Sequence, residues 1–155
     1  MVIIQKTALA VDGIEKLRDE ARAEGYDFIE TLFSEWESGK NRFEKHGEVL
    51  MACFDQKNPI AVGGLTIDPF AGSPKIGRIR RVYVRPAWRN KGIGARLVSE
   101  LISATRKSFH TVRLRAESPD AARLYERLGF SPIDDENASH RLVFDSIQST
   151  QESAS

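Results

Sequence analysis

The segment Arg89-Asn90-Lys91-Gly92-Ile93-Gly94 follows an apolar run over 79–84 and a break at Pro86, and it opens a helix whose first apolar residue is Ile93. A strand that leads into a helix start leaves several backbone N–H groups without intrahelical acceptors at the positive end of the helix dipole, and such a terminus binds anions. Gly92 and Gly94 let phosphate oxygens approach the main chain with no Cβ in the way, while Arg89 and Lys91 add charge. The same glycines also suit an ordinary tight turn. Two other phosphate motifs fail on these residues: a Walker loop needs Lys-Ser/Thr after its last glycine, where this chain has Ala95-Arg96, and a dinucleotide fingerprint starting at Gly92 needs a small residue where Leu97 stands.

Charge supports an anionic ligand locally rather than globally. The 23 basic and 22 acidic residues leave a formal charge of +1, so the total asks for neither nucleic acid nor membrane. Between Lys75 and Arg96, however, eight basic residues occur with no acidic one, either a counter-surface for a phosphorylated ligand or a solvated basic face. A nucleic-acid-associated protein is a weak alternative, because Tyr83 and Trp88 form no spaced stacking series. The single Cys53 lies in an apolar run over 48–54 and reads as a core thiol, and the scattered His46, His110 and His140 give no metal-ligand spacing, so no metal is expected. No run reaches about 18 apolar residues, and the N-terminus has no signal-like pattern, from which a cytoplasmic protein is expected.

The elements that must position the loop can be read in order. A short strand over 2–4 precedes a helix announced by Asp12 and Glu15, and Asp27 with Glu30 starts a second helix that ends at Ser38-Gly39. Phe33 and Trp36 on that helix suit either core or pocket wall. Runs over 48–54 and 60–67 flank a polar turn and should pair antiparallel, and a third strand covers 76–84. Alternation places Arg78 and Arg80 on one strand face with Val82 and Val84, where the arginines meet an acidic acceptor, reach solvent or pair with Glu117 and Asp120. Ile93, Leu97, Val98, Leu101 and Ile102 trace an apolar helical stripe, and a half-buried strand follows over 112–116. Ser118 can cap a short helix with Pro119 in its first turn and Gly129 at its end, before two closing strands over 130–133 and 141–144. With 41% hydrophobic residues in 155, the chain is expected to be one mixed α/β domain over 1–147 with a polar tail over 148–155.

Two blocks together resemble a known family. Val82-Tyr83-Val84-Arg85-Pro86-Ala87-Trp88-Arg89-Asn90-Lys91-Gly92-Ile93-Gly94-Ala95-Arg96-Leu97 is similar to the acetyl-CoA signature of the GNAT superfamily, whose core R/Q-x-x-G-x-G/A falls on Arg89, Gly92 and Gly94. The second block is Ala122-Arg123-Leu124-Tyr125-Glu126-Arg127-Leu128-Gly129-Phe130, at the family's distance and on the expected helix. The likeness covers roughly 76–130, and the first forty residues agree only in layout.

The resemblance implies a GNAT fold, with a mixed, mostly antiparallel sheet of six to seven strands, splayed in its middle and flanked by about four helices. It implies an N-acetyltransferase that moves an acetyl group from acetyl-CoA to a primary amine of a small molecule or protein in a ternary complex, and it admits a homodimer. Main-chain groups over 82–84 (Val82, Tyr83, Val84) would pair with the pantetheine arm, and Arg89, Asn90, Lys91, Gly92, Ile93, Gly94 and Ala95 would hold the diphosphate. Tyr125 would protonate the departing thiolate, and Ser118 stands where relatives often have an asparagine contacting the cofactor arm. Many relatives carry a glutamate on the strand before the loop, where this chain has Gly77-Arg78-Ile79-Arg80-Arg81, so Glu117, Asp68 and His140 remain as candidate bases. Trp36, Asp68 and Arg80 are the candidate acceptor contacts. The alternative is a sensor that binds acyl-CoA without turnover.

Overall fold

The computed structural model describes residues 1–144, and the expected tail over 148–155 lies outside them. The strands are β1 (Val2–Lys6), β2 (Val49–Asp55), β3 (Asn58–Ile67), β4 (Ile76–Val84), β5 (Thr111–Leu114), β6 (Ser131–Pro132) and β7 (His140–Val143), and the helices α1 (Glu15–Ala23), α2 (Phe28–Ser38), α3 (Ile93–Thr105) and α4 (Pro119–Arg127). One seven-stranded sheet runs β1-β2-β3-β4-β5-β7-β6, antiparallel except for the β4–β5 pair.

Each face of the sheet carries its own core. On one face Leu97, Val98 and Leu101 of α3 are fully buried with Tyr125 of α4 against Ala61, Leu65 and Ile79. Burying each such aliphatic side chain contributes about 1.5–3 kcal/mol, which fixes α3 and therefore the loop at its start. On the other face Leu17 of α1 and Ile29, Leu32 and Phe33 of α2 pack with Val62 and Tyr83. Trp36 joins this second core from its edge.

Local signals set most element ends, with exceptions. Ser118 caps α4, its Oγ accepting from the Ala121 amide at 3.1 Å. Asp12 caps nothing: α1 begins after Ile14, with no side-chain cap. The β2–β3 connection is tighter than the polar stretch suggests, a two-residue turn in which Gln56 and Lys57 both have positive φ, as a hairpin matching the sheet twist requires. Pro59 is accommodated inside β3 beside a register shift between Cys53 and Phe54.

Two irregularities of β4 create the site. First, β4 pairs with β5 only from Ile76 to Arg78, so from Ile79 onward the two parallel strands diverge and the sheet opens. Second, Val62 faces Tyr83 but Gly64 faces Arg80, so β4 bulges by one residue around Arg81, which has φ of 60°. The extra residue inverts the alternation. Arg78 and Arg80 therefore do not share a face with Val82 and Val84: Ile79, Val82 and Val84 lie with α3, whereas Tyr83 lies with α1 and α2. Arg80 stands opposite Gly64, on the face covered by Phe43 of that second core.

Candidate active site

The opened sheet holds a cleft of about 1030 Å³. Its wall takes Ile93, Gly94, Leu124 and Tyr125 from the α3–α4 side and Tyr26, Phe28, Arg80 and Tyr83 from the α1–α2 side, so the opening passes through the sheet. A thiol-linked arm entering from one face can thus present its end group to a second molecule on the other.

At the head of α3 the backbone is prepared for an anion. Asn90 and Gly92 both have positive φ (62° and 78°), and the first helical bond runs from the Arg96 amide to the Gly92 carbonyl at 3.1 Å. Among the described residues, no carbonyl or side chain accepts from the amides of residues 90–95, six consecutive donors at a helix N-terminus. A Cβ on Gly94 would lie 3.5 Å from Leu124 and 3.6 Å from Val84, ordinary contact, and one on Gly92 would meet nothing within 4 Å. Gly92 is therefore required by its left-handed conformation and not by crowding.

The charged side chains of the loop are spoken for by other groups. Arg89 donates from Nη1 and Nη2 to the Glu24 carboxylate at 2.7 and 2.6 Å, and from Nε to the Val84 carbonyl at 2.9 Å. Tyr83 also donates to Glu24, whose carboxyl is held below the usual carboxylate range chiefly by Arg89. Lys91 lies over the Trp88 ring at 5.7 Å and does not border the cleft. What the helix start offers an anion is thus its main-chain amides, while the Arg89 guanidinium ties the end of β4 to the end of α1.

The open edge of β4 faces the cleft. The Arg85 amide bonds the Ile60 carbonyl on β3 at 2.9 Å, so by alternation the main-chain groups of Val84 and Val82 turn away from β3 toward the splay, where the Val84 carbonyl already accepts from Arg89 and the Val82 groups and the Val84 amide are left open. Ser118 borders the cleft as well, although its hydroxyl caps α4.

Tyr125 is 6% exposed and packs edge to face on Phe130 with ring centroids 5.6 Å apart. Its hydroxyl has no hydrogen-bond partner among the described residues, and its ring borders the cleft. Burial, with a smaller contribution from the Glu117 charge, raises its pKa well above the ordinary phenol value, so it stays a proton-bearing donor throughout the neutral range.

Of the three candidate bases only Glu117 reaches the cleft. The Asp68 side chain is 0% exposed and bridges Arg113 Nε at 2.9 Å and Arg78 Nη1 at 3.4 Å, which makes it a structural counter-ion, not a base or an acceptor contact. His140 is buried between Ser139 and Glu126, 2.8 Å from each, and joins β7 to α4 away from the cleft. Trp36, offered above as an acceptor contact, does not line the cleft because its turn of α2 faces the second core. The aromatic wall is made instead by Tyr26 and Phe28, whose rings pack on Tyr83 with centroids 6.4 and 6.2 Å away. Sequence reading passed over them; their signal was a pair of aromatics at the joint between two helices, Phe28 standing one turn ahead of Leu32 at the head of the α2 stripe. Phe70, 55% exposed in the loop between β3 and β4, was missed as well, because a loop aromatic outside any periodic run carries no signal of what it faces.

The sequence pattern of the Acetyltransferase (GNAT) family matches residues 12–130, more than half of the chain. The chain belongs to the GNAT acetyltransferase family. It is 30% identical over 80 residues to the N-alpha-acetyltransferase RimI of Mycobacterium tuberculosis, a match covering 47% of this chain and 51% of that protein, so the chain spans about half the length of this relative. In structure it is similar to an acetyltransferase crystallised from Exiguobacterium sp. 255-15, with 25% identity, a TM-score of 0.81 and coverage of 100% of this chain and 99% of the other. It is also similar in fold to yncA of Salmonella typhimurium, crystallised with acetyl-CoA, with 18% identity, a TM-score of 0.71 and coverage of 94% and 95%. The seven-stranded mixed sheet with four helices is the fold that the resemblance implies. Among the described residues no helix is long and apolar enough to cross a membrane.

Proposed function

We propose that this chain transfers an acetyl group from acetyl-CoA to a primary amine, by direct attack of the amine while both substrates are bound. The observation that carries this reading is the row of six free amides over 90–95 at the head of α3, placed at one end of a cleft that passes through the sheet beside Tyr125. Those amides would hold the diphosphate, Gly92 setting their direction, and the open edge of β4 at Val82 and the Val84 amide would pair with the pantetheine arm. The bound thioester supplies an activated acetyl carbon and a thiolate leaving group.

The residues of the chain then have separable tasks. A main-chain N–H on the free edge of β4 donates to the carbonyl oxygen as it gains charge. Tyr125 donates its hydroxyl proton toward the departing sulfur; the burial that makes the phenol a weak acid also disfavours an unprotonated thiolate beside it, so donor and acceptor shift together. Glu117, on the cleft wall close enough for its charge to act on Tyr125, takes the proton that the amine must lose, directly or through water. We place the whole activity in one domain over 1–147 and in the cytoplasm.

A screen of amines with acetyl-CoA, followed by release of free CoA thiol and repeated with Tyr125→Phe, tests the reading. The parent protein should turn over with at least one amine, and the variant should keep its CoA affinity while kcat falls about 100-fold or more. An unchanged rate would remove Tyr125 from the mechanism, and tight CoA binding without turnover on any amine would favour the sensor, for which the missing strand glutamate speaks.

A further inference from the structure

The cofactor loop opens on the α3 side of the sheet, so on the proposed reading the acceptor amine must come from the α1–α2 side. What that side of the cleft offers is guanidinium. Arg78, Arg80, Arg81 and Arg115 all border the cleft. The carboxylates nearby are shared out unevenly among them and their neighbour Arg113. Asp68 serves Arg78 and Arg113, Asp135 bonds Arg113 a second time at 3.4 Å, and Glu35 pairs with Arg81 at 3.3 Å. Arg115 has only a main-chain carbonyl, that of Glu136.

Among the described residues the Arg80 side chain makes no hydrogen bond and no ion pair. It is half-buried, and burial together with the like charge of Arg81 outweighs the charges of Glu35 and Asp68 beyond ion-pair distance and holds its pKa below the ordinary guanidinium value. A partly desolvated guanidinium that no side chain pairs gains more from a bound counter-charge than a fully solvated one does. The bulge at Arg81 puts this side chain on the acceptor face, and a guanidinium fork matches a carboxylate in two parallel bonds. Nearby, Phe70 lies with its ring 5.3 Å from the Arg78 guanidinium and extends an apolar wall beside the charge.

We infer that the acceptor is an amine that also carries a carboxylate, held by Arg80 on the α1–α2 side of the cleft so that its amine is turned toward the splay. The inference rests on the acetyl-transfer reading for the amine, but the carboxylate subsite can be tested without turnover. With CoA bound, glutarate should raise the melting temperature of the parent protein in a concentration-dependent way, whereas glutaramide should not. Arg80→Gln should abolish the glutarate response, Arg80→Lys should keep part of it, and both should retain the CoA affinity of the parent. Equal responses to glutarate and glutaramide in the parent would overturn the inference, and that comparison needs no variant, so a poorly folding Arg80→Gln does not remove the test.

Turnover supplies the second arm. 5-Aminopentanoate should be acetylated with a kcat/KM about 10- to 100-fold above that of 5-aminopentanamide, the range of one charge-assisted contact, with the difference in KM and erased in Arg80→Gln. Peptides with an acidic or an amide second residue, run in parallel, distinguish a protein acceptor from a free amino carboxylate. Preference for the amide of either pair would refute the carboxylate. Glutarate binding without acetylation of any amine would leave the subsite standing and count against the transferase reading instead.

Discussion

Replacing Gly92 with alanine separates the cradle from everything else that holds the fold. Gly92 has φ of 78° and ψ of 6°, and a Cβ there would meet no atom within 4 Å, so the whole cost of Gly92→Ala is conformational. An L-residue in this region costs about 1–2 kcal/mol. For a chain of 155 residues, each kcal/mol lowers Tm by about 2–4 °C, giving a fall of roughly 2–8 °C. If the backbone escapes the strain by moving to negative φ, the amides that follow lose their common direction. A hydrogen bond to a charged group contributes about 1.5–3 kcal/mol, so misdirecting one amide weakens CoA by roughly 10- to 100-fold. Titration calorimetry with CoA and with pantetheine, which lacks the diphosphate, reads this directly: CoA affinity should drop while pantetheine affinity holds. For stability alone Gly94→Ala is the contrast, since its Cβ fits at 3.5–3.6 Å and its Tm should hold or rise where that of Gly92→Ala falls. An equal loss for both ligands in Gly92→Ala, or undiminished CoA binding, would refute the amide cradle.

Asp68→Ala leaves Arg78 and Arg113 without their buried counter-ion and should destabilise the protein by roughly 3–5 kcal/mol in urea denaturation; a loss below about 1 kcal/mol would mean that water reaches the pair. Ser118→Ala removes the α4 cap and should cost about 1 kcal/mol, read as a lower Tm with unchanged CoA affinity, unless the Ser118 hydroxyl also binds the cofactor arm. Burial pushes the Cys53 thiol up to about 11. The unfolded thiol ionises near 9.0, so the stability this group contributes is complete below about pH 9 and declines as pH rises toward 11, by about 3 kcal/mol in all. Cys53→Ala should flatten that part of the denaturation-against-pH curve, and parallel curves for parent and variant would contradict it.

The amino-acid order alone determined the series of elements, the anion-binding helix start and the presence of Tyr125 on α4, because strand alternation, helix periodicity, Ser118-Pro119 and the glycines of 92 and 94 are local properties of the chain. Asp68 and His140 show where locality ends: each looked like a free base in the sequence, and each is consumed by partners 10 to 45 residues away, Asp68 by Arg78 and Arg113 and His140 by Glu126, through pairings that exist only once β4, β5, β7 and α4 are assembled. Trp36 likewise has helical spacing that says it is apolar-facing but not which apolar surface it faces. The decisive tertiary feature is β4. Its divergence from β5 after Arg78 depends on where two distant strands stop pairing, and its bulge at Arg81 depends on register against β3, neither of which a period-two pattern encodes. That one extra residue separates Arg80 from the α3 face that holds Val82 and Val84 and leaves it on the α1–α2 face, because in a strand a shift of one exchanges the two sides of the sheet.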